Sequence, residues 1–282
     1  MRIGRIGEIG LEKPIVEVDG AIYDASTLVK EIDGRFFESG GVERLRSAVE
    51  QHLLPSISLP EGTRIGSPIA KPGAIYCIGM NYAAHAAESG SEPPKNLVMF
   101  MKAPNTVVGP NDVIQIPKTS TKTDWEVELA VVIGKTTSYL DSPEDAKNHI
   151  AGFTVANDLS ERDFQLAVSG GQWSKGKSSP GFCPLGPWLV PTTEIDYQNL
   201  QLKSWVNGEA RQDSNTSDQI FPVDYAVWHL SQFLTLDPGD LILTGTPEGV
   251  ALSERFPYIS AGDVVEIEIE GIGRQRQEYI NA

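Results

Sequence analysis

Glu126 and Glu128 stand two residues apart in Asp124-Trp-Glu-Val-Glu-Leu-Ala-Val-Val-Ile-Gly134, and Asp158 closes Gly152-Phe-Thr-Val-Ala-Asn-Asp158. Both segments read as apolar strands. Side chains two apart on a strand share a face, so the two glutamates project together. Carboxylates side by side in a buried setting repel and are costly to desolvate. A hard divalent cation removes that cost, and oxygen-only ligands suit Mg²⁺, Mn²⁺ or Ca²⁺, with Asp158 as the third ligand. The same spacing equally fits a solvated face carrying both glutamates while Val127 and Leu129 turn inward.

Four other segments carry candidate chemistry. His85 and Glu88 lie three apart in Gly79-Met-Asn-Tyr-Ala-Ala-His-Ala-Ala-Glu88, an Ala-rich stretch of high helix propensity. On a helix they are neighbours, and a carboxylate beside an imidazole raises its basicity, which suits removal of a proton from water. An exposed pair at a helix start has the same spacing. Asp158-Leu-Ser-Glu-Arg-Asp-Phe-Gln165 places Arg162 and Gln165 four and seven residues after Asp158. A helix over Ser160 to Val168 puts all three on one face, with Arg162 orienting a carboxylate ligand. Gln172 to Pro187 is rich in Gly and Pro and reads as a loop, from which Lys177 offers a point charge to a substrate carboxylate. Its Gly-Lys-Ser lacks the spacing of a phosphate-binding loop. Finally, Asp240-Leu-Ile-Leu-Thr-Gly-Thr-Pro-Glu-Gly249 runs from a strand into a turn where Thr246 offers a hydroxyl and an N–H to an anion.

These residues need a scaffold, and the chain is long enough for one. Its 282 residues are 40% hydrophobic and 22% charged, as in an ordinary globular protein. A net charge of -15 disfavours nucleic acid and anionic membranes as partners. Two cysteines and four scattered histidines exclude a disulfide framework and a Cys-rich zinc site. The N-terminus has no apolar secretory region and no run approaches a membrane span, so a cytoplasmic location is expected.

Asp19-Gly20 between Ile15–Val18 and Ala21–Tyr23 signals a hairpin, and apolar residues at 42, 45, 49 and 53 mark a helix. These form a small N-terminal α/β unit over residues 1–66. The breakers from Pro55 to Gly73 form a linker, and a larger unit spans 70–282. There, strands at 74–79, 127–134, 200–206, 240–244 and 264–270 are interrupted by helices at 142–150 and 223–234 without regular alternation. The fold class is therefore α+β, rich in β structure.

Taken in order, Tyr76-Cys-Ile-Gly-Met-Asn-Tyr-Ala-Ala-His85, Phe100-Met-Lys-Ala-Pro104, Glu126-Val-Glu128, Asn157-Asp-Leu-Ser-Glu-Arg162-Asp-Phe-Gln165, Lys175-Gly-Lys177, Pro184-Leu-Gly-Pro187 and Pro238 through Thr246-Pro247 resemble the fumarylacetoacetate hydrolase family. The likeness spans roughly residues 70 to 275. It implies a mixed β-sandwich roll with a small N-terminal domain, a homodimer, and Mg²⁺ or Mn²⁺ held at Glu126, Glu128 and Asp158. It further implies His85 and Glu88 as a catalytic pair on a mobile lid. Lys177 becomes a catalytic residue, and Arg162, Gln165 and Thr246 bind substrate. The chain departs from the pattern at Pro180-Gly181, where many relatives carry Asp-Thr, and this puts the substrate's identity in question. The implied activity is hydrolysis of a carbon–carbon bond in a small anionic 2-oxo acid, an acylpyruvate or diketo-deoxy sugar acid. A water activated by His85 attacks, and the metal stabilises the departing enolate. The alternative is oxaloacetate decarboxylation, tautomerisation or ureidoglycolate-type lysis at the same site.

Overall fold

The computed structural model describes residues 1–88, 90 and 92–282. Its centre is a six-stranded mixed sheet in the order Val190–Pro191, Ile150–Asn157, Val127–Ile133, Leu241–Leu243, Ile75–Gly79, Val98–Lys102. Neighbours run antiparallel except Leu241–Leu243 beside Ile75–Gly79. Every residue of Val127–Ile133 is buried, which explains why its run of apolar residues is nearly continuous.

The two faces of that sheet are covered differently. Val127, Leu129, Val131 and Ile133 pack toward a five-stranded sheet built from Glu209–Asn215, Gln201–Val206, Val264–Ile269, Gly273–Asn281 and Ile114–Ile116. Ala130 and Val132 pack with Ile3, Val16, Phe36 and Leu45 of the N-terminal region. Each Val or Leu so buried contributes about 1.5–3 kcal/mol. Alternation thus runs unbroken through the strand, and Glu126 and Glu128 fall on the face of Ala130 and Val132.

The N-terminal sheet orders Ser56–Ile57, Ala21–Asp24, Lys13–Val18, Arg2–Ile6 and Ile65–Gly66. The hairpin turns on Asp19 (φ 51°) and Gly20 (φ 83°), the left-handed pair that a two-residue turn demands. Ser56–Ile57 and Ile65–Gly66 correct the expected linker: short strands between the prolines add to both edges of this sheet. The helix Gly41–Glu50 buries Leu45 and Ala48 but stops before Leu53, which is exposed.

Two further expectations are corrected. Ser160 to Val168 is not one helix, because Ser160–Glu161 pairs as a strand with Thr123–Asp124 and only Asp163–Ala167 winds, as a single π-helical turn. Residues 172–187 are not all loop. Trp173–Lys177 is helical, tied to the Val98–Lys102 strand by Ser174 Oγ and Ser178 Oγ, which accept from Met101 N (3.3 Å) and Ala103 N (3.0 Å).

Candidate active site

The strand register brings the carboxylates together. Val127 pairs with Asn157 and Glu128 with Ala156, and Asp158 N donates to Glu126 O at 3.0 Å. Oxygens of Glu126, Glu128 and Asp158 consequently lie within 4.8 Å of one another, and all three residues are buried. The solvated-face alternative is excluded.

Cations surround this cluster. Lys177 Nζ lies 2.6 Å from Glu126 Oε2 and 2.8 Å from Asp158 Oδ2. Lys102 Nζ lies 2.6 Å from Asp158 Oδ1 and also donates to Leu159 O at 3.1 Å. Arg162 donates from Nε to Asp124 Oδ2 (2.8 Å), from Nη1 to Gln165 Oε1 (2.9 Å) and from Nη2 to Glu126 Oε1 (2.7 Å). Its guanidinium is therefore spent on orienting a carboxylate. The register of Ser160–Glu161, not a helix, delivers it there.

Charge is unevenly shared. Burial alone raises the pKa of Glu126, but Lys177 and Arg162 outweigh it and hold the group at about 2. Glu128 has no cation partner among the described residues and accepts only from Gly245 N, at 2.7 Å. Burial, followed by the charges of Asp158 and Glu126, pushes its pKa well above the usual value. Four carboxylates (Asp124, Glu126, Glu128, Asp158) thus face three cations (Lys102, Arg162, Lys177). Hard oxygen donors with one uncompensated negative charge fit a divalent cation such as Mg²⁺, Mn²⁺ or Ca²⁺.

His85 lies on the helix Ala83–Glu88, buried, with Nδ1 3.7 Å from Glu88 Oε2. That is ion-pair distance, beyond a hydrogen bond, and Nδ1 has no hydrogen-bond partner among the described residues. Glu88 instead accepts from Gly249 N (3.0 Å) and from Arg255. Burial tends to raise the Glu88 pKa, but His85, the Gly249 N–H and Arg255 together lower it. The Thr246 hydroxyl donates to Val127 O (2.9 Å) and accepts from Gln212 Nε2 (2.8 Å). Among the described residues the Gln165 amide nitrogen makes no hydrogen bond, while its oxygen accepts from Arg162.

A cleft of about 340 Å³ gathers these groups. His85, Glu88, Glu126, Glu128, Arg162, Gln165, Lys177 and Thr246 all line it. Only Asp158 lies behind the wall, among the residues singled out. Phe100 and Trp173, in edge contact at 5.5 Å, form an apolar side. Pro180 and Gly181 do not border the cleft. Lys102, Asp124, Gln212 and Arg255 also hold site residues, though no local motif assigns them a role. Lys102 carried a signal, a lysine ending the alternating strand Val98–Lys102 on its inward face.

Residues 74–279 match the family model described as fumarylacetoacetate (FAA) hydrolase C-terminal. The chain belongs to the fumarylacetoacetate hydrolase family. It is 44% identical to the 2,4-didehydro-3-deoxy-L-rhamnonate hydrolase of Sphingomonas sp. (strain SKA58), over 99% of this chain and 95% of that one. Among solved structures, it is similar to the fumarylacetoacetate hydrolase of Exiguobacterium antarcticum (TM-score 0.85, 32% identity, full coverage of both chains). It is likewise similar to the maleylpyruvate hydrolase of Sphingobium sp. SYK-6 solved with manganese(II) and pyruvate (TM-score 0.83, 28% identity, full coverage of both). The mixed-sheet, strand-rich architecture is that of the family, and the chain is an enzyme of its hydrolase type. No helix among the described residues is long and apolar enough to cross a membrane.

Proposed function

We propose that the protein is a divalent-metal-dependent hydrolase that cleaves the C3–C4 bond of a 2,4-dioxo acid. The observation that carries this is the buried cluster of Glu126, Glu128 and Asp158 at the floor of a cleft that His85 also lines. The manganese and pyruvate of the maleylpyruvate hydrolase and the sugar-acid substrate of the Sphingomonas relative support it.

In this reading the three carboxylates hold Mg²⁺ or Mn²⁺, which when bound supplies Lewis-acid polarisation of the substrate's oxygens. His85, with Nδ1 turned to Glu88, takes a proton from water at Nε2. The water oxygen bonds to C4, the C3–C4 bond breaks, and its electron pair goes to C3, which is then protonated. One water is consumed, and one carboxylate, one pyruvate and one proton are released. Lys177 lines the cleft beside Glu126 and offers positive charge to the substrate carboxylate. The Gln165 amide nitrogen and the Thr246 N–H orient substrate oxygens, while Arg162 fixes Glu126 and Gln165 from behind. We assign catalysis to residues 70–282 and a covering role to 1–66, and the working protein is a cytoplasmic homodimer.

Incubation with an acylpyruvate and Mn²⁺ tests this. Pyruvate should appear with Mn²⁺ and stop with chelator. No pyruvate, or release indifferent to chelator, refutes it. Faster turnover of oxaloacetate than of any acylpyruvate transfers the site to decarboxylation.

A further inference from the structure

The cleft runs from a buried floor to an exposed mouth, and charge changes along it. At the floor lie Glu126 and Glu128, each under 5% exposed. The lining residues that reach solvent include Leu252, Ser253, Glu254 and Leu166, and of these Glu254 and Leu166 are exposed; they mark the mouth. The segment is fixed there because Ala251 N and Leu252 N both donate to Asp124, at 2.9 Å each, and Asp124 in turn holds Arg162.

Two cations line the cleft, Arg162 and Lys177, and both are committed to carboxylates at the floor. Arg255, next to the mouth, is paired with Glu88 and lies over the Phe256 ring at 5.6 Å. Glu254, in contrast, makes no side-chain hydrogen bond or ion pair among the described residues. Its backbone is left-handed (φ 62°), a conformation that a glutamate adopts at some cost. Met80, also lining the cleft, shares that conformation (φ 52°). Among the described residues, Glu254 is thus an unpaired negative charge in the cleft's lining, and the neighbouring Arg255 is paired with Glu88. The lining it shares includes the apolar Phe100, Leu166, Trp173 and Leu252 and the Ser253 hydroxyl, which donates to Val250 O at 2.8 Å.

We propose that Glu254 is a specificity-determining residue that makes the cleft reject substrates whose far end is a carboxylate, so that the group carried on C4 is uncharged, alkyl or hydroxylated. This rests on the 2,4-dioxo acid reading above. A second substrate carboxylate would meet Glu254 near contact, where like charges in a partly hydrated setting cost about tenfold in affinity. A neutral chain meets hydrocarbon and a hydroxyl.

The test compares acids that differ only at the far end. Dissociation constants for 2-oxoheptanoate and 2-oxoheptanedioate are measured by calorimetry on the Mn²⁺-loaded protein, together with kcat and KM for 2,4-dioxoheptanoate and 2,4-dioxoheptanedioate. The monoacids should be favoured about tenfold, in Kd and KM more than in kcat. Glu254→Gln should bring the pair close to parity and Glu254→Lys should turn the preference over. Equal binding by the wild type, or a preference unmoved in Glu254→Lys, overturns the proposal while leaving the functional reading intact. Discrimination in binding that follows residue 254 without turnover of either dioxo acid upholds the proposal and overturns that reading. Binding of neither 2-oxo acid together with turnover of neither dioxo acid overturns both.

Discussion

Lys177 Nζ bridges Glu126 Oε2 and Asp158 Oδ2, at 2.6 and 2.8 Å, on a side chain only 2% exposed. Removing one partner of a buried pair strands the other charge. Lys177→Met should therefore destabilise the chelator-treated protein by about 3–5 kcal/mol in urea denaturation. A divalent cation at the same carboxylates restores compensation, so Mn²⁺ should recover part of that loss. An equal loss with and without Mn²⁺ would separate Lys177 from the metal-binding group.

His85 Nδ1 lies 3.7 Å from Glu88 Oε2 and makes no hydrogen bond among the described residues. His85→Ala should lower kcat by about 10²–10⁴-fold while leaving Mn²⁺ affinity within about threefold of wild type. Turnover that survives the substitution would remove His85 from the proton transfer.

Gly176 packs its Cα against the turn that carries Gln165. A Cβ there would sit 2.4 Å from Gln165 N and 2.5 Å from Glu161 O, both backbone atoms that cannot swing aside. Gly176→Ala should cost about 1–3 kcal/mol in stability. It should also lower kcat/KM at least about tenfold, since Lys177 and Gln165 must separate. Wild-type kinetics in this variant would show that their spacing is not critical.

Away from the cleft, Glu12 joins the N-terminal sheet to the larger unit, accepting from Arg64 Nη1 at 3.0 Å and Arg5 Nη2 at 3.2 Å while Arg64 also holds Asp112. Burial tends to raise its pKa, but its backbone N–H bonds and the two arginines prevail and lower it from 4.5. A depressed carboxylate contributes stability above the unfolded-state pKa and loses it as pH falls through the folded one. The stability gap between wild type and Glu12→Gln should be full near about pH 7 and close as pH falls below 4.5. A gap that widens in acid would reverse the sign.

Local chemistry was the legible part of the sequence. Asp19-Gly20 dictates its hairpin, and the alternation of Val264–Ile269 matches its half-buried pattern. The alternation of Glu126 and Glu128 put two carboxylates on one face. What the chain alone could not supply was pairing between distant segments. Ser160–Glu161 has helical neighbours but becomes strand because Thr123–Asp124 lies alongside. Lys177 reads as a solvated loop residue because Gly and Pro surround it. It is buried because Gly176 lets its helix press onto Gln165. Lys102 and Asp124 went unassigned for the same reason: each acquires its role only from a carboxylate or guanidinium 56 or 38 residues away.

On the proposed function, Glu126, Glu128 and Asp158 together hold one divalent cation. Calorimetric titration of chelator-stripped protein with Mn²⁺, repeated on Glu126→Gln, tests it most directly. One ion should bind per chain with a thermal upshift, and the variant should bind at least about tenfold more weakly. No heat and no upshift in the wild type, or unchanged affinity in Glu126→Gln, would contradict it.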